Sequence, residues 1–227
     1  EWVEQLGMRR YGFHGSSHSY IAWKMEREAP EARRLVSVHL GGSSSLCAIR
    51  DGRSIATSMG ATPQSGLFHN NRVGDLDVFC LPVIIHQTGG VEAAMKALSG
   101  QSGLLGLSGV SNDMRKVEEA AAKGNERAQL AIGAFADEIV GYIGMYTAYL
   151  GGLDAICFTG GIGLNDASLR QRIADRLSFV NARLDPRCNR SGYEGRISTP
   201  DSGVAIWAFE TNEEIMVARG CMRVLGA

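Results

Sequence analysis

The sequence predicts a mixed α/β fold, and three observations carry that expectation. Residues 36–50 read as an apolar strand (Val36, Val38, Leu40), a turn of small residues (Gly41, Gly42, Ser43, Ser44, Ser45) and a second strand from Leu46 to Ile49. In a long stretch after Asn125, the apolar residues Ala128, Ile132, Phe135, Ile139, Tyr142, Ile143 and Tyr146 recur at spacings of three and four, the period of one helix face. A second apolar run at residues 153–158 ends in Thr159-Gly160-Gly161-Ile162-Gly163 and is followed by a helical pattern. Antiparallel strands first and strand–helix alternation afterwards is a mixed α/β order.

Each element then has its local reason. Residues 19–27 are expected to form a helix stopped by Pro30. Asp51-Gly52 is a hairpin turn signal, which makes residues 53–57 the third strand of an antiparallel set. Residues 59–77 show no period and carry glycines and a proline, the marks of a long loop, and loops of that length are more often functional than accidental. Apolar residues 78–86 read as a helix despite Pro82, and residues 91–98 as another. Ser111-Asn112 caps a helix over residues 113–123 that ends at Gly124. After the long helix and Gly151-Gly152 come a buried strand, a turn at 160–165, a helix at 167–177, a strand at 204–209 and a final helix at 213–225.

Composition bounds the function. The 227 residues suffice for one large or two small domains with a sizeable core. A net charge of −1 points to neither a polyanion nor a membrane surface, so no nucleic-acid or membrane partner is expected. No apolar run is long enough to span a bilayer. The acidic start Glu1-Trp2-Val3-Glu4 does not read as a signal peptide, and a first residue other than Met reads as a piece of something longer. The five cysteines show no CxxC spacing and lie mostly in apolar segments, which reads as buried thiols in a reducing cytoplasm.

The two small-residue turns carry the chemistry. Paired glycines let a backbone turn tightly and approach a ligand. Backbone N–H groups and three hydroxyls in residues 41–45 form a concavity of donors that suits an anion such as phosphate. No GxxxxGK[ST] motif is present, and residues 161–166 break GxGxxG at its last position, so neither the P-loop nor the dinucleotide fingerprint applies. The expectation is that the chain brings both turns to one nucleotide, although turns of this kind also occur as tight turns alone.

Arg9-Arg10-Tyr11-Gly12-Phe13-His14-Gly15-Ser16-Ser17-His18 closely resembles the acetate kinase signature RRYGFHGTSH. In order along the chain, His39-Leu40-Gly41-Gly42-Ser43 is similar to the family's HLGNG, and residues 62–77 to its loop from TP to SGDIDP. Ser111-Asn112-Asp113-Met114-Arg115 resembles SSDMR, residues 158–165 resemble FTGGIGEN, and Thr211-Asn212-Glu213-Glu214 matches TNEE. The resemblance implies a ribonuclease-H-like domain of the acetate and sugar kinase/Hsp70/actin superfold, with a mixed sheet flanked by helices. It further implies reversible transfer of the ATP γ-phosphoryl group to acetate with Mg²⁺, in a cytoplasmic homodimer.

By position, the resemblance assigns the migrating phosphoryl group to His14 and Arg72. Such roles suit a loose transition state that needs donors and cations on its equatorial oxygens. His39, Leu40, Gly41, Gly42 and Ser43 match a phosphate-binding turn. Asp113, Met114 and Arg115, with Gly161, Ile162, Gly163, Leu164 and Asn165, match two nucleotide-binding segments, and Glu213 the magnesium carboxylate. Against these stand structural roles: a loop ion pair for Arg72 beside Asp75 and Asp77, and helix-dipole complementation for Glu213 beside Glu214. His18 and His69 read as surface or loop-packing residues, and His86 and the cysteines as structural.

This sequence departs from the family pattern at Gly42 (asparagine in HLGNG), at Leu164 (glutamate in GIGEN) and through residues 68–74. The resemblance covers the C-terminal half of the family. Residues 1–212 are expected to be its nucleotide-binding domain, and residues 213–227 a terminal helix that packs on an N-terminal domain outside this chain. Alone, the chain is expected to bind ATP or ADP without turnover. The alternatives are a non-catalytic nucleotide-binding or dimerisation module and a propionate or butyrate kinase, because one methylene changes discrimination only about 10–200-fold.

Overall fold

The computed structural model describes residues 1–226. Helices α1 (Trp2–Leu6) and α2 (Gly15–Glu28) precede strands β1 (Arg34–Leu40), β2 (Ser44–Arg50) and β3 (Arg53–Thr57). Helices α3 (Leu81–Thr88), α4 (Val91–Gly100), α5 (Gly103–Ser108), α6 (Met114–Ala122) and the long α7 (Glu126–Leu150) follow. The chain then alternates through β4 (Ala155–Thr159), α8 (Gly160–Asn165), α9 (Ala167–Asp175), β5 (Gly195–Arg196), β6 (Ala205–Ala208) and α10 (Glu213–Leu225). One mixed sheet has the order β3-β2-β1-β4-β6-β5.

The described residues form two compact units. The first comprises Glu1–Gly12, Gly42–Ser44 and Ser58–Glu138, and the second Phe13–Gly41, Ser45–Thr57 and the chain from Ile139 onward. In the second unit β1 pairs parallel with β4, and β4 parallel with β6. Strands β1 and β4 are buried on both faces, which explains their near-continuous apolar sequence. One face joins Leu35, Cys47, Ile49, Ala155 and Cys157 to Ile21, Met25 and Ala29 of the α2 segment. The other buries Val36, Val38, Leu40, Ile156 and Phe158. Helix α10 packs against α2, and the Arg219 guanidinium lies 5.2 Å from the Trp23 ring centroid. Val217, Val224 and Leu225 of α10 remain exposed. Ala227, the end of the expected terminal segment, lies outside the described residues.

The first unit is helical around a core that includes Leu67, Phe68, Leu104, Met114, Val117 and Phe135, with the Phe68 and Phe135 rings 5.4 Å apart. As the sequence led one to expect, no regular element occurs between Thr57 and Val78. No single helix among the described residues is long and apolar enough to cross a membrane; only α3 with α4 and the 3-10 turn at Val78–Cys80 qualifies as a pair, bent by 111°.

Three local readings change. Helix α2 begins at Gly15 rather than near residue 19, because Ser17 and His18 are drawn into helix by bonds to β1 that outweigh their weak propensity. Residues 160–165 are a short helix rather than a turn; Arg170 donates to the carbonyls of Gly163 and Leu164 at its end, at 2.7 and 2.6 Å. Of the cysteines, Cys47 and Cys157 are buried as expected, but Cys80 and Cys221 are exposed.

Candidate active site

The α2-facing side of the sheet changes character along its length. On β1 the residues on that side run Leu35, Ser37, His39; on β2 they run Ser45, Cys47, Ile49. On α2 they run from His14, Ser17 and His18 to Ile21 and Met25. Each element is apolar at one end and carries hydroxyls and imidazoles at the other, so a hydrophobic core grades into a buried polar cluster. Burial of these groups is tolerable only because they bond one another.

The cluster is tightly connected. Ser17 Oγ lies 2.8 Å from His39 Nδ1, and His18 Nδ1 lies 2.8 Å from Ser37 Oγ. Ser45 Oγ stands between two rings, 2.9 Å from His18 Nε2 and 2.8 Å from His14 Nδ1. The His14 and His39 rings stack with centroids 4.1 Å apart. His14 is the N-cap of α2 with a left-handed backbone (φ 57°), a conformation a non-glycine residue adopts only when its surroundings hold it there. Burial, with the His39 and His14 imidazoles alongside, pushes His18 down to about 3; burial, with His14 alongside, does the same to His39. Both are neutral at physiological pH.

The carboxyl ends of β1, β4 and β6 share one edge, since His39 is in register with Thr159 and Phe158 with Ala208. Open parallel sheets bind ligands at this edge. His39, Leu40 and Gly41 leave β1 there, beside α8, which holds Gly161, Ile162, Gly163, Leu164 and Asn165. Gly160 permits the approach: its φ is +78°, and a Cβ would fall 2.5 Å from the Leu40 carbonyl oxygen. Of the first small-residue turn, Gly41 thus lies beside the glycines that follow β4, while Gly42, Ser43 and Ser44 belong to the first unit. From the end of β6 the chain enters an open cleft of about 580 Å³ lined by Tyr20, Glu194 and residues 210–214. Thr211 Oγ1 is buried there without a protein partner.

That cleft suits a hard cation in its donor set: Glu194, Glu210, Glu213 and Glu214 all line it. Among the described residues no cluster of three or more His, Cys, Asp or Glu is close enough to cage a metal. Mg²⁺ needs none, because it keeps several waters and takes one or two carboxylates with phosphate oxygens. Asn212 caps α10 by accepting from Ile215 N at 3.0 Å, and Glu213 opens the helix.

In the first unit, Arg72 Nη1 donates to Ser43 Oγ at 3.1 Å and to the Pro63 carbonyl at 3.2 Å. Both of these acceptors are uncharged oxygens. Asp75 accepts from Gly66 N at 2.7 Å, and Asp77 from Phe79 N at 2.9 Å. The loop is held by its backbone: His69 N donates to Arg72 O, Leu104 N to His69 O, and Val73 N to Leu98 O. His69 Nδ1 accepts from Ser44 N at 2.8 Å. Burial, with the Asp75 charge nearby, raises Glu138, whose carboxylate accepts from Phe68 N at 2.9 Å. Gly42 is exposed with open space around it; the nearest atom to where a Cβ would stand is Asn70 Nδ2, at 3.9 Å. Asp113 is the N-cap of α6, and its carboxylate is taken up by Arg115 Nε and Nη2 at 3.0 and 2.6 Å. Met114 is buried.

The sequence model of the acetokinase family matches residues 1–219. The chain belongs to the acetokinase family. It is 44% identical to the acetate kinase of Dictyoglomus thermophilum over 232 residues, covering all of this chain and 58% of that protein. A propionate kinase of Yersinia enterocolitica is 47% identical over 229 residues, covering 98% of this chain and 55% of that protein. The Porphyromonas gingivalis acetate kinase crystal structure superposes with a TM-score of 0.92 at 35% identity, over 98% of this chain and 57% of that one. The chain thus spans somewhat more than half the length of the acetokinase relatives it matches. Its fold is that of acetate kinases.

Of the two histidines expected at the surface or in loop packing, His69 packs the loop between Thr57 and Val78, whereas His18 lies on α2. Both are buried, not surface residues, and both bond to the serine run that follows Gly42. A signal was present: His14 and His18 are four apart, the spacing that puts two side chains on one helix face, had α2 been started at Gly15.

Proposed function

We propose that the protein containing this chain is an ATP-dependent carboxylate kinase that reversibly transfers the γ-phosphoryl group of ATP to acetate, giving acetyl phosphate and ADP. The observation that carries the reading is the shared edge of β1, β4 and β6 in the second unit, where Gly41 leaves β1 beside the glycines of α8 and the chain after β6 enters a carboxylate-lined cleft. An acetate oxygen forms a bond to the γ-phosphorus while the bond to the bridging oxygen of ADP breaks. His14 and Arg72 supply donor and cationic stabilisation to the phosphoryl oxygens. His39, Leu40, Gly41, Gly42 and Ser43 offer backbone and hydroxyl donors to phosphate, and residues 161–165 and 113–115 hold the nucleotide. Glu213 would hold Mg²⁺, which when bound neutralises phosphate charge. Residues 1–212 serve as the nucleotide domain, and the exposed apolar side of α10 packs on a further domain. Exposed Val78, Phe79, Val83 and Val91 support a homodimer. The cytoplasm, where ATP is available, is the proposed location.

Similarity to both an acetate and a propionate kinase keeps acyl length open as a second reading. Assaying acyl phosphate formed from ATP with acetate, propionate or butyrate tests both. Acetate is expected to give the highest kcat/KM; preference for propionate would transfer the assignment, and no acyl phosphate from any acceptor would overturn it. Titration of this chain alone with ADP is expected to show binding, and absence of binding would remove the nucleotide-domain reading.

A further inference from the structure

We propose that Ser37, His18 and Ser45 form a directed hydrogen-bond relay that holds His14 as the tautomer carrying its proton on Nε2, which makes them positioning residues for that imidazole. The three contacts run in series: Ser37 to His18 Nδ1 at 2.8 Å, His18 Nε2 to Ser45 at 2.9 Å, and Ser45 to His14 Nδ1 at 2.8 Å. All four residues lie in the second unit, and Ser37, His18 and Ser45 are buried.

A neutral imidazole has one N–H and one bare nitrogen, and a hydroxyl has one hydrogen. His18 stays neutral because charging it where it is buried is too costly. When Ser45 shares its one hydrogen between the two rings, the chain has two directions. Outward, Ser37 donates to His18 Nδ1, His18 Nε2–H donates to Ser45 Oγ, and Ser45 donates to His14 Nδ1. The His14 proton is then on Nε2. Inward, every bond reverses and His14 Nε2 becomes a lone pair.

Chemistry selects the outward direction. A lone pair facing a phosphoryl oxygen repels it, whereas an N–H stabilises its charge without the desolvation cost of an imidazolium. This selection rests on the proposed role of His14 toward phosphate. The stack on His39, itself tied to Ser17, fixes the plane of the His14 ring, so its donor has a set direction as well as a set proton. The buried serines thus do for this imidazole what a carboxylate does for the histidine of a hydrolase, and do so without adding a negative charge beside phosphate.

The test is ¹⁵N correlation of the imidazoles in this chain, histidine-labelled, at pH 7.5, assigned with His14→Gln, His39→Gln, His69→Gln and His86→Gln. Bare Nδ1 and protonated Nε2 on both His14 and His18 are expected; a proton on His14 Nδ1, or a mixture of tautomers, overturns the relay. Ser45→Ala should turn His14 into a mixture and, in the whole protein that contains this chain, lower kcat about tenfold with KM for ATP within about twofold, while Ser45→Thr keeps hydroxyl and tautomer. An unchanged His14 spectrum in Ser45→Ala also overturns the relay, and the wild-type spectrum decides if either variant fails to fold. Inorganic phosphate is added last. A wild-type spectrum with the expected tautomers but no shift at His14 supports the relay and removes the phosphoryl reading instead.

Discussion

His14 and Arg72 are held by different means. In the second unit His14 is fixed through side chains: a serine on its ring nitrogen, a second imidazole against its face, and a buried histidine behind the serine. In the first unit Arg72 sits on a loop fixed through its backbone, with His69 N donating to Arg72 O, Leu104 N of α5 to His69 O and Val73 N to Leu98 O of α4, and with Gly103 pressed against it. The difference follows from what each side chain has to offer. An arginine is always charged and needs only to be placed, whereas an imidazole must also be given the right proton. Neutral buried partners accomplish that for His14, at the cost of making the cluster sensitive to acid.

That sensitivity is the largest expected effect separating the two regions. His18 and His39 titrate at about 3 in the folded protein, against 6.5 when unperturbed. Between those values the unfolded chain binds more protons than the folded one, so stability rises with pH. It is complete above 6.5, falls as pH drops through 6.5, and stops falling below 3. Two such groups give a slope approaching about 2.7 kcal/mol per pH unit in that window. Urea unfolding at about pH 7.5 and about pH 5 should show a much lower midpoint at the acid value in the second unit, and equal midpoints would refute neutral burial.

Backbone pinning is probed by Gly103→Ala. Its φ is +60°, and a Cβ would lie 2.1 Å from the His69 carbonyl oxygen and 2.6 Å from that of Arg72. A loss of about 3 kcal/mol or more is expected, seen as a lower Tm with loss of activity. A matched pair addresses the β1–α8 edge. Gly160→Ala, with φ +78° and the Leu40 oxygen in the way, should cost about 1–3 kcal/mol and weaken ADP binding. Gly161→Ala meets nothing within 4 Å and should leave stability within about 0.5 kcal/mol. Equal effects at the two positions would show that close packing does not shape this edge. A small gain is expected at Gly42→Ala, which has space and no positive φ, and should stabilise by about 0.4–1 kcal/mol through the unfolded chain.

Much of this was legible in the sequence, and for identifiable reasons. Strands β1 and β4 are continuous apolar runs because both their faces are buried, and α10 shows its bounds because Asn212 and Gly226 cap it. The contact of the end of β1 with the glycines after β4 was legible as well, since each ends a strand. Less legible were elements decided by partners distant in sequence. The start of α2 depends on Ser37 and His39, and the helical form of residues 160–165 depends on Arg170. His18 looked like a loop polar residue because its serine partners are 19 and 27 positions away. The division into two units, with Gly42–Ser44 in one and the flanking strands in the other, left no compositional boundary to read.

The most direct measurement of the central claim is the steady-state kinetics of acetyl phosphate formation by His14→Ala. Removing a donor used mainly in the transition state should lower kcat by about 10²–10³ while KM for ATP changes little. A variant that keeps its kcat would contradict the account, because the whole buried cluster would then be holding a ring that chemistry does not use.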